Sequence, residues 1–357
     1  MKAVMYGAGN IGRGFIGQLF YLSGYEVAFV DVNKELLGRL NAERRYPVKT
    51  LYSDRSEEMY VENVRGIDGT DADTVAEAIA GADIMATAVG VNVLKYIVDP
   101  VVSGLKLRYA RGGAPLNIII CENLLNADRY LKGLIGTKLM PEEYHWMLAN
   151  IGFVEASIGR MVPIQTPEMQ DGNPLRVCVE AYADLPVDKS AFVGKIPDIK
   201  GLVPFSPFEF YIERKLFIHN MGHAMTAYLG SLYGDEYIWQ AVSRDDVKRD
   251  VRAAMAQSAA ALAKRHGVEI GELTAHIDDL LERFANRQLG DTTFRVGRDL
   301  NRKLGRRDRM AGALFSCVDA GLPGDKICDG IAAALLFDRD ELLKEKGPRE
   351  ILRDVSE

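Results

Sequence analysis

Residues 2–17 read KAVMYGAGNIGRGFIG, a short apolar run followed by Gly7, Gly9 and Gly12 in GxGxxG spacing and then by a segment with helical apolar spacing. The run KAVMY (2–6) reads as a strand, and IGRGFIGQLFYLSGY reads as the helix that follows it. Each glycine has a physical task in such a strand–turn–helix unit. Gly7 permits the tight turn, Gly9 leaves room for backbone amides to approach a pyrophosphate, and Gly12 lets the helix pack closely. The start of the helix then offers unpaired N–H groups and the positive end of its dipole to an anion. The loop Gly7, Ala8, Gly9, Asn10, Ile11, Gly12 and Arg13 is therefore the expected dinucleotide cradle.

Working outward, the next strand, EVAFVD, ends in Asp31. A carboxylate at that place accepts hydrogen bonds from a ribose diol and repels a 2′-phosphate, so NAD is favoured over NADP. Asp31 can also cap a helix beginning in VNKELLGRL. The runs ADIMATAVG (82–90) and PLNIIICEN (115–123) are apolar without alternation, as buried parallel strands are, and a helical segment, NVLKYIVDPVVSGLKLRYA, lies between them. Ligands of open α/β sheets bind beyond the carboxyl ends of strands, which places Gly90 and Asn123 at the nicotinamide end. Two further strand-like stretches, NIGFVEASIGRMVP and LRVCVEAYADLP, extend the sheet or cover its edge.

Beyond about residue 190 the texture changes to amphipathic helices, the last of them the charged DRDELLKEKGPREILRDVSE (338–357), read as a solvated surface helix. The expected fold is α/β: an N-terminal Rossmann-like doubly wound parallel sheet over 1–192, followed by a mostly α-helical domain over 193–357. A cleft between two such domains is where a substrate meets the nicotinamide.

The helical half contains KLFIHNMGH (215–223), dense in polar groups that are costly to bury without purpose. At α-helical pitch Lys215, His219 and His223 fall at roughly 0°, 40° and 80°, with Asn220 near 140°. All four share one arc. Two histidines four residues apart suggest zinc, but Asn220 stands where a catalytic glutamate belongs and no third ligand is evident. Metal-free alcohol oxidation fits better. Removing hydride from a secondary alcohol requires the hydroxyl proton to leave, and an amine in a dehydrated cleft can take it. Asn220 can donate to the oxygen as its charge develops, and His223 can orient it. Lysine suits the task where arginine does not, because arginine stays protonated.

Composition narrows the classes. The chain of 357 residues carries a net charge of −6, which argues against a nucleic-acid binder. No apolar run reaches transmembrane length and the first residues lack a signal-peptide h-region. Four scattered cysteines form no CxxC pair, as in a reduced protein. A cytoplasmic protein, monomer or weak homodimer, with a small-molecule ligand and no nucleic-acid or membrane partner is expected.

With these residues in hand, the chain resembles the mannitol dehydrogenase family of polyol-specific long-chain dehydrogenases. The likeness rests on YGAGNIGRGFIG (6–17), on K-x4-N-x2-H within ERKLFIHNMGHAMTAYLG (213–230), and on RVGRDLNRKL (295–304), and runs almost end to end. It implies a lysine base at Lys215, with Asn220 and a second asparagine from CENLLNADR holding the reacting oxygen. Asn123 is preferred over Asn126 because it sits at the strand end. It also implies that Arg295 and Lys303 contact the polyol, with His219 and Asn126 nearby, and that no metal is used. The run Arg295, Arg298, Arg302, Lys303, Arg306, Arg307 and Arg309 suits a phosphate ester, since arginine's fork matches phosphate; a basic solvated face is the plainer account. Together these imply an NAD-dependent polyol-phosphate dehydrogenase interconverting mannitol 1-phosphate and fructose 6-phosphate. The alternatives are another polyol, polyol phosphate or sugar acid as substrate, or an NAD(H)-binding redox sensor without turnover. One departure stands out: where the family shows V-D-R before I-x-P, this chain has IGRMVP, with Gly159 in place of the acid.

Overall fold

The structure is a computed structural model that describes residues 1–337 except Leu125. The charged segment 338–357 lies outside the described residues. Contacts divide the chain into a unit over Met1–Phe208 and a second from Glu209 onward.

In the first unit, β1 (Lys2–Tyr6) leads into a helix, α1, that opens as a π-helical turn (Gly12–Gly17) and continues as Gln18–Leu22. There follow β2 (Glu26–Asp31), α2 (Lys34–Glu43), β3 (Arg45–Leu51), β4 (Ser56–Glu62), β5 (Val64–Asp68), α3 (Ala72–Ala80), β6 (Ile84–Thr87) and α4 (Val98–Ala110). The unit closes with β7 (Leu116–Ile120), α5 (Ala127–Gly136), α6 (Pro141–Asn150), β8 (Ile151–Glu155), α7 (Pro167–Gln170), β9 (Val177–Glu180), β10 (Leu185–Asp188) and β11 (Leu202–Phe205).

Six strands form one parallel sheet in the order β5-β2-β1-β6-β7-β8. Counted within this sheet, the order is 3-2-1-4-5-6, the doubly wound arrangement whose order reverses beside the first strand. Both faces are buried, which explains the unalternating apolar strands. Along β1, Ala3 and Met5 join the core cluster on one face, while Val4 and Tyr6 join the cluster on the other.

The stretches around 150–185 divide. β8 extends the main sheet beside β7. β9 instead pairs with β3 in a separate three-stranded sheet, β4-β3-β9. β11 pairs with β10, and contacts keep residues to Phe208 in the first unit.

The second unit is helical among its described residues. It runs α8 (Glu209–Glu213), a π-helical turn (Arg214–Asn220), α9 (Met221–Leu232), α10 (Ile238–Val242), α11 (Asp245–His266), α12 (Ile270–Phe284), α13 (Thr293–Gly297), α14 (Leu300–Lys303), α15 (Arg309–Asp319) and α16 (Asp325–Phe337). α9 is its hub, packed against α10, α11, α13 and α16. Close approach makes this possible: a Cβ on Gly222 of α9 would lie 2.5 Å from the Met255 sulfur of α11. α11 ends where Gly267 adopts φ 66° and its N–H reaches the Ala263 carbonyl, a left-handed stop that glycine makes at no steric cost.

Candidate active site

In the first unit the glycine cradle is held by backbone packing. Gly7 has φ +105°, and a Cβ there would lie 2.4 Å from the Ala88 carbonyl oxygen, so only glycine fits. A Cβ on Gly12 would come within 1.9 Å of the Gly7 carbonyl oxygen. The helix start is thus pressed directly onto the turn. Gly9 is the opposite case, since a Cβ there would meet nothing within 4 Å. The open space over Gly9 lies where a pyrophosphate must approach, and Gly9 and Asn10 are exposed. The loop therefore fits a dinucleotide.

Asp31 ends β2 with both oxygens engaged: Oδ2 accepts from the Ala8 N–H at 2.7 Å and Oδ1 from the Asn33 N–H at 3.0 Å. It therefore ties the second strand to the cradle. A carboxylate offers about four lone-pair sites, so capacity remains for a ribose diol. The helix cap is Asn33, whose side chain accepts from the Leu36 N–H at 3.0 Å, and not Asp31.

Arg13 is not placed on a ligand by its side chain. The guanidinium is buried, donates from Nε to the Ala8 carbonyl at 2.7 Å, and donates from Nη1 to the Leu175 carbonyl. Burial pulls its pKa down. Arg13 braces the loop from behind, and Tyr46 donates to the Arg13 carbonyl at 2.8 Å. Ile11 is half-buried in the first turn.

At the carboxyl edge of the sheet the acid in the polar end of PLNIIICEN organises the crest. Glu122 is buried, and its two oxygens accept from the Val89 N–H at 2.9 Å and the Gly90 N–H at 2.8 Å. It joins the ends of β6 and β7 and holds Gly90 at φ +90°. Asn123, the next residue, is exposed. Asn126 stands at the start of α5 with φ 55°, and its N–H donates to Glu155 Oε1 at 3.0 Å. Burial, reinforced by Asp128, raises the Glu155 carboxyl to about 7. Gly159 precedes Arg160, which is buried and donates to the Gly14 carbonyl at 3.0 Å and to Gln18 Oε1 at 2.6 Å. The departing glycine thus sits beside a brace for α1.

In the second unit Lys215 and Asn220 lie within the π turn, and His223 lies in the first turn of α9. The K-x4-N spacing has a structural reason. In an α-helix positions i and i+5 diverge, whereas the wider i→i+5 turn brings them round to nearly the same side. The turn is anchored by Phe217 and Ile218, both buried. From below, Glu213 Oε2 meets His266 Nε2 at 2.7 Å and Glu213 Oε1 accepts from Arg265 at 2.7 Å.

His219 keeps His223 beside it, with ring centroids 6.3 Å apart, but lies in the interior. It is buried near the Phe284 ring, with ring centroids 5.9 Å apart. Burial, then the charges of Arg283 and neighbours including Lys215, push its pKa well below the usual imidazole value. It belongs to the interior support of the turn. His223 stacks on Phe284 with centroids 4.8 Å apart and planes 17° apart, and its Nε2 lies 3.4 Å from Asp291 Oδ2. His276, also depressed by burial and by Arg214, titrates at about 3. Among the described residues no group of three or more His, Cys, Asp or Glu is placed to hold a metal ion.

The basic run separates into braces and exposed arginines. Lys303 is buried, donating to the Val296 carbonyl at 2.5 Å and to the Arg298 carbonyl, and burial with Arg309 nearby lowers it to about 8. The residue expected to contact the polyol thus also locks the turn between α13 and α14. Arg295 donates to Asp291, Arg302 to Asp299 and Asp308, and Arg309 to Asp308 at 2.9 Å. Arg298, Arg306 and Arg307 remain exposed.

Comparison with known proteins agrees with this architecture. A D-sorbitol dehydrogenase solved in substrate-free form matches with a TM-score of 0.80 at 16% identity, over 98% of this chain and 81% of that one. A Pseudomonas fluorescens mannitol 2-dehydrogenase, solved as a ternary complex with NAD and D-mannitol, matches with a TM-score of 0.73 at 16% identity, over 94% and 79%. At such identities the likeness speaks to the fold. Sequence models of the mannitol dehydrogenase Rossmann domain and C-terminal domain match residues 1–201 and 208–348. With both characteristic domains present in order over nearly the whole chain, the protein belongs to the mannitol dehydrogenase family.

Proposed function

We propose that this protein is an NAD-dependent polyol-phosphate dehydrogenase, with mannitol 1-phosphate and fructose 6-phosphate as its leading substrate pair. The observation that carries the reading is the π turn, which aligns Lys215 and Asn220 and leads directly to His223. Family membership and the open glycine cradle support it. NAD, when bound, supplies the hydride acceptor.

The chain's own residues do the rest. Backbone amides of Gly9, Asn10 and Ile11, at the open part of the loop, bind the pyrophosphate, and Asp31 accepts from the ribose diol. Lys215 Nζ takes the hydroxyl proton as the carbonyl forms. Asn220 and Asn123 donate to the oxygen on which charge develops, and His223 fixes its direction. Exposed Arg298 and Arg307 suit the phosphate ester. The reading carries a cytoplasmic location and a monomer or weak homodimer.

A second reading, an unphosphorylated polyol, is favoured by the engagement of Arg295, Arg302, Lys303 and Arg309 with carboxylates and carbonyls of the protein itself. NADH absorbance with paired polyols and polyol phosphates decides between them. Turnover of mannitol 1-phosphate well above mannitol supports the first, and the reverse preference rejects it.

A further inference from the structure

We infer that Glu122 is a buried counter-charge for the oxidised nicotinamide ring, favouring NAD over NADH, an inference that rests on the dinucleotide reading of the cradle and not on the identity of the polyol.

A doubly wound sheet consists of two mononucleotide-binding halves, with ligands beyond the carboxyl ends of the strands. Asp31 ends β2 in the half formed by β1, β2 and β5, which the ribose reading assigns to adenosine. The nicotinamide is left to β6, β7 and β8. Glu122 lies just beyond β7, immediately before Asn123, and reaches across to the turn after β6. There its oxygens accept from two successive amides, the Val89 N–H at 2.9 Å and the Gly90 N–H at 2.8 Å. That turn packs on the cradle: a Cβ on Gly7 would lie 2.4 Å from the Ala88 carbonyl oxygen and 3.3 Å from Val89 Cγ1. The carboxylate is therefore fixed beside the β1–β6 crevice, where the strand order reverses.

Glu122 is 7% exposed, and among the described residues no lysine or arginine forms an ion pair with it. Two amides satisfy its hydrogen bonding, yet they contribute only partial positive charge. Buried charges are normally paired, because an uncompensated one is costly away from water. A carboxylate so placed at the nicotinamide end suits a cation. The oxidised ring carries a positive charge and the reduced ring carries none. Across a poorly screened interior the same carboxylate therefore stabilises one form of the coenzyme and not the other.

The test is calorimetric titration of the full chain with NAD and with NADH, without polyol. One pH serves throughout, since Glu155, raised by burial to about 7, ends β8 on the same edge. Glu122→Gln removes the charge and turns an N–H₂ toward one of the two amides, so it should weaken both coenzymes. NAD should lose roughly 10-fold more affinity than NADH. Glu122→Asp, which keeps the charge, should retain the wild-type ratio of the two affinities. Equal losses for NAD and NADH in Glu122→Gln, or a ratio that falls as far in Glu122→Asp, would show that Glu122 only clasps the crest and overturn the inference. Should Glu122→Gln fail to fold, the wild type decides through an NAD analogue with benzamide in place of nicotinamide, planar and uncharged. Binding roughly 10-fold weaker than that of NAD supports the counter-charge, and equal binding rejects it. A ratio that shifts as expected in a protein that oxidises no polyol upholds Glu122 and rejects the proposed function.

Discussion

Among the described residues each unit contains one π-helical turn at its candidate site, and the two turns are built from opposite materials. Gly12–Gly17 is glycine-rich: Cβ atoms added at Gly12, Gly14 and Gly17 would lie 1.9, 2.6 and 2.5 Å from the Gly7 carbonyl oxygen, Val177 and Phe29. Arg214–Asn220 has no glycine and carries long polar side chains between buried aromatic and aliphatic anchors. The first turn brings backbone close to backbone and leaves a cradle of amides. The second spreads side chains so that those five apart face together. The same irregularity therefore serves recognition by main chain in one unit and chemistry by side chain in the other.

The sharpest way to break this contrast is to add a methyl group. Gly12→Ala meets the Gly7 carbonyl and should cost the first unit about 3 kcal/mol or more, abolishing NADH binding. Gly9→Ala, whose Cβ points into open space, should leave stability within about 0.5 kcal/mol while weakening NADH. Urea melts with NADH fluorescence titrations read both. Equal losses of stability would show that the cradle is not held as described.

Acid should separate the units next. Glu155 titrates at about 7 in the folded protein against an ordinary 4.5, so the fold binds more protons than the unfolded chain between those values. Its contribution is present at low pH and lost as pH rises through 7, worth about 1 kcal/mol after solvent screening. His276, lowered to about 3, and His219 behave oppositely: the unfolded chain takes protons near 6.5 that the fold refuses. Stability of the second unit should fall by about 2 kcal/mol on account of His276 as pH drops from 7 to 5, with His219 acting in the same direction. Hydrogen exchange resolves the two units and should show α9 and α12 opening before β1 and β7; the reverse order would contradict these assignments.

Asp31→Ala should have the smallest effect, narrowing the preference for NAD over NADP by about 10-fold, or 1.4 kcal/mol. Paired coenzyme titrations measure it, and an unchanged ratio would mean that the ribose is read elsewhere.

What the sequence disclosed follows the same divide. The cradle was legible because φ at Gly7 and contact at Gly12 leave one residue type possible. β6 and β7 were legible because strands buried on both faces are continuously apolar. The small sheet was not, since β3 pairs with β9 far along the chain and β4, SEEMYVE, has an exposed polar face. Residue types in KLFIHNMGH announced chemistry, but spacing could not distinguish an α turn from a π turn, nor show that Phe284 lies against His219. The carbonyls that Arg13 and Lys303 meet, at Leu175, Val296 and Arg298, are visible only after folding. Asp291 went unnoticed for the same reason, since a lone acid in a loop carries no periodic signal, and Glu122 showed only as a polar end to its strand.

The most direct test of the central claim is single-turnover formation of NADH from mannitol 1-phosphate and NAD by the wild type and by Lys215→Ala. The account predicts a hydride-transfer rate lower by roughly 10²–10⁴-fold in the variant, with NADH binding retained. A variant that reacts at the wild-type rate would show that the amine of the second π turn is not the group that takes the proton.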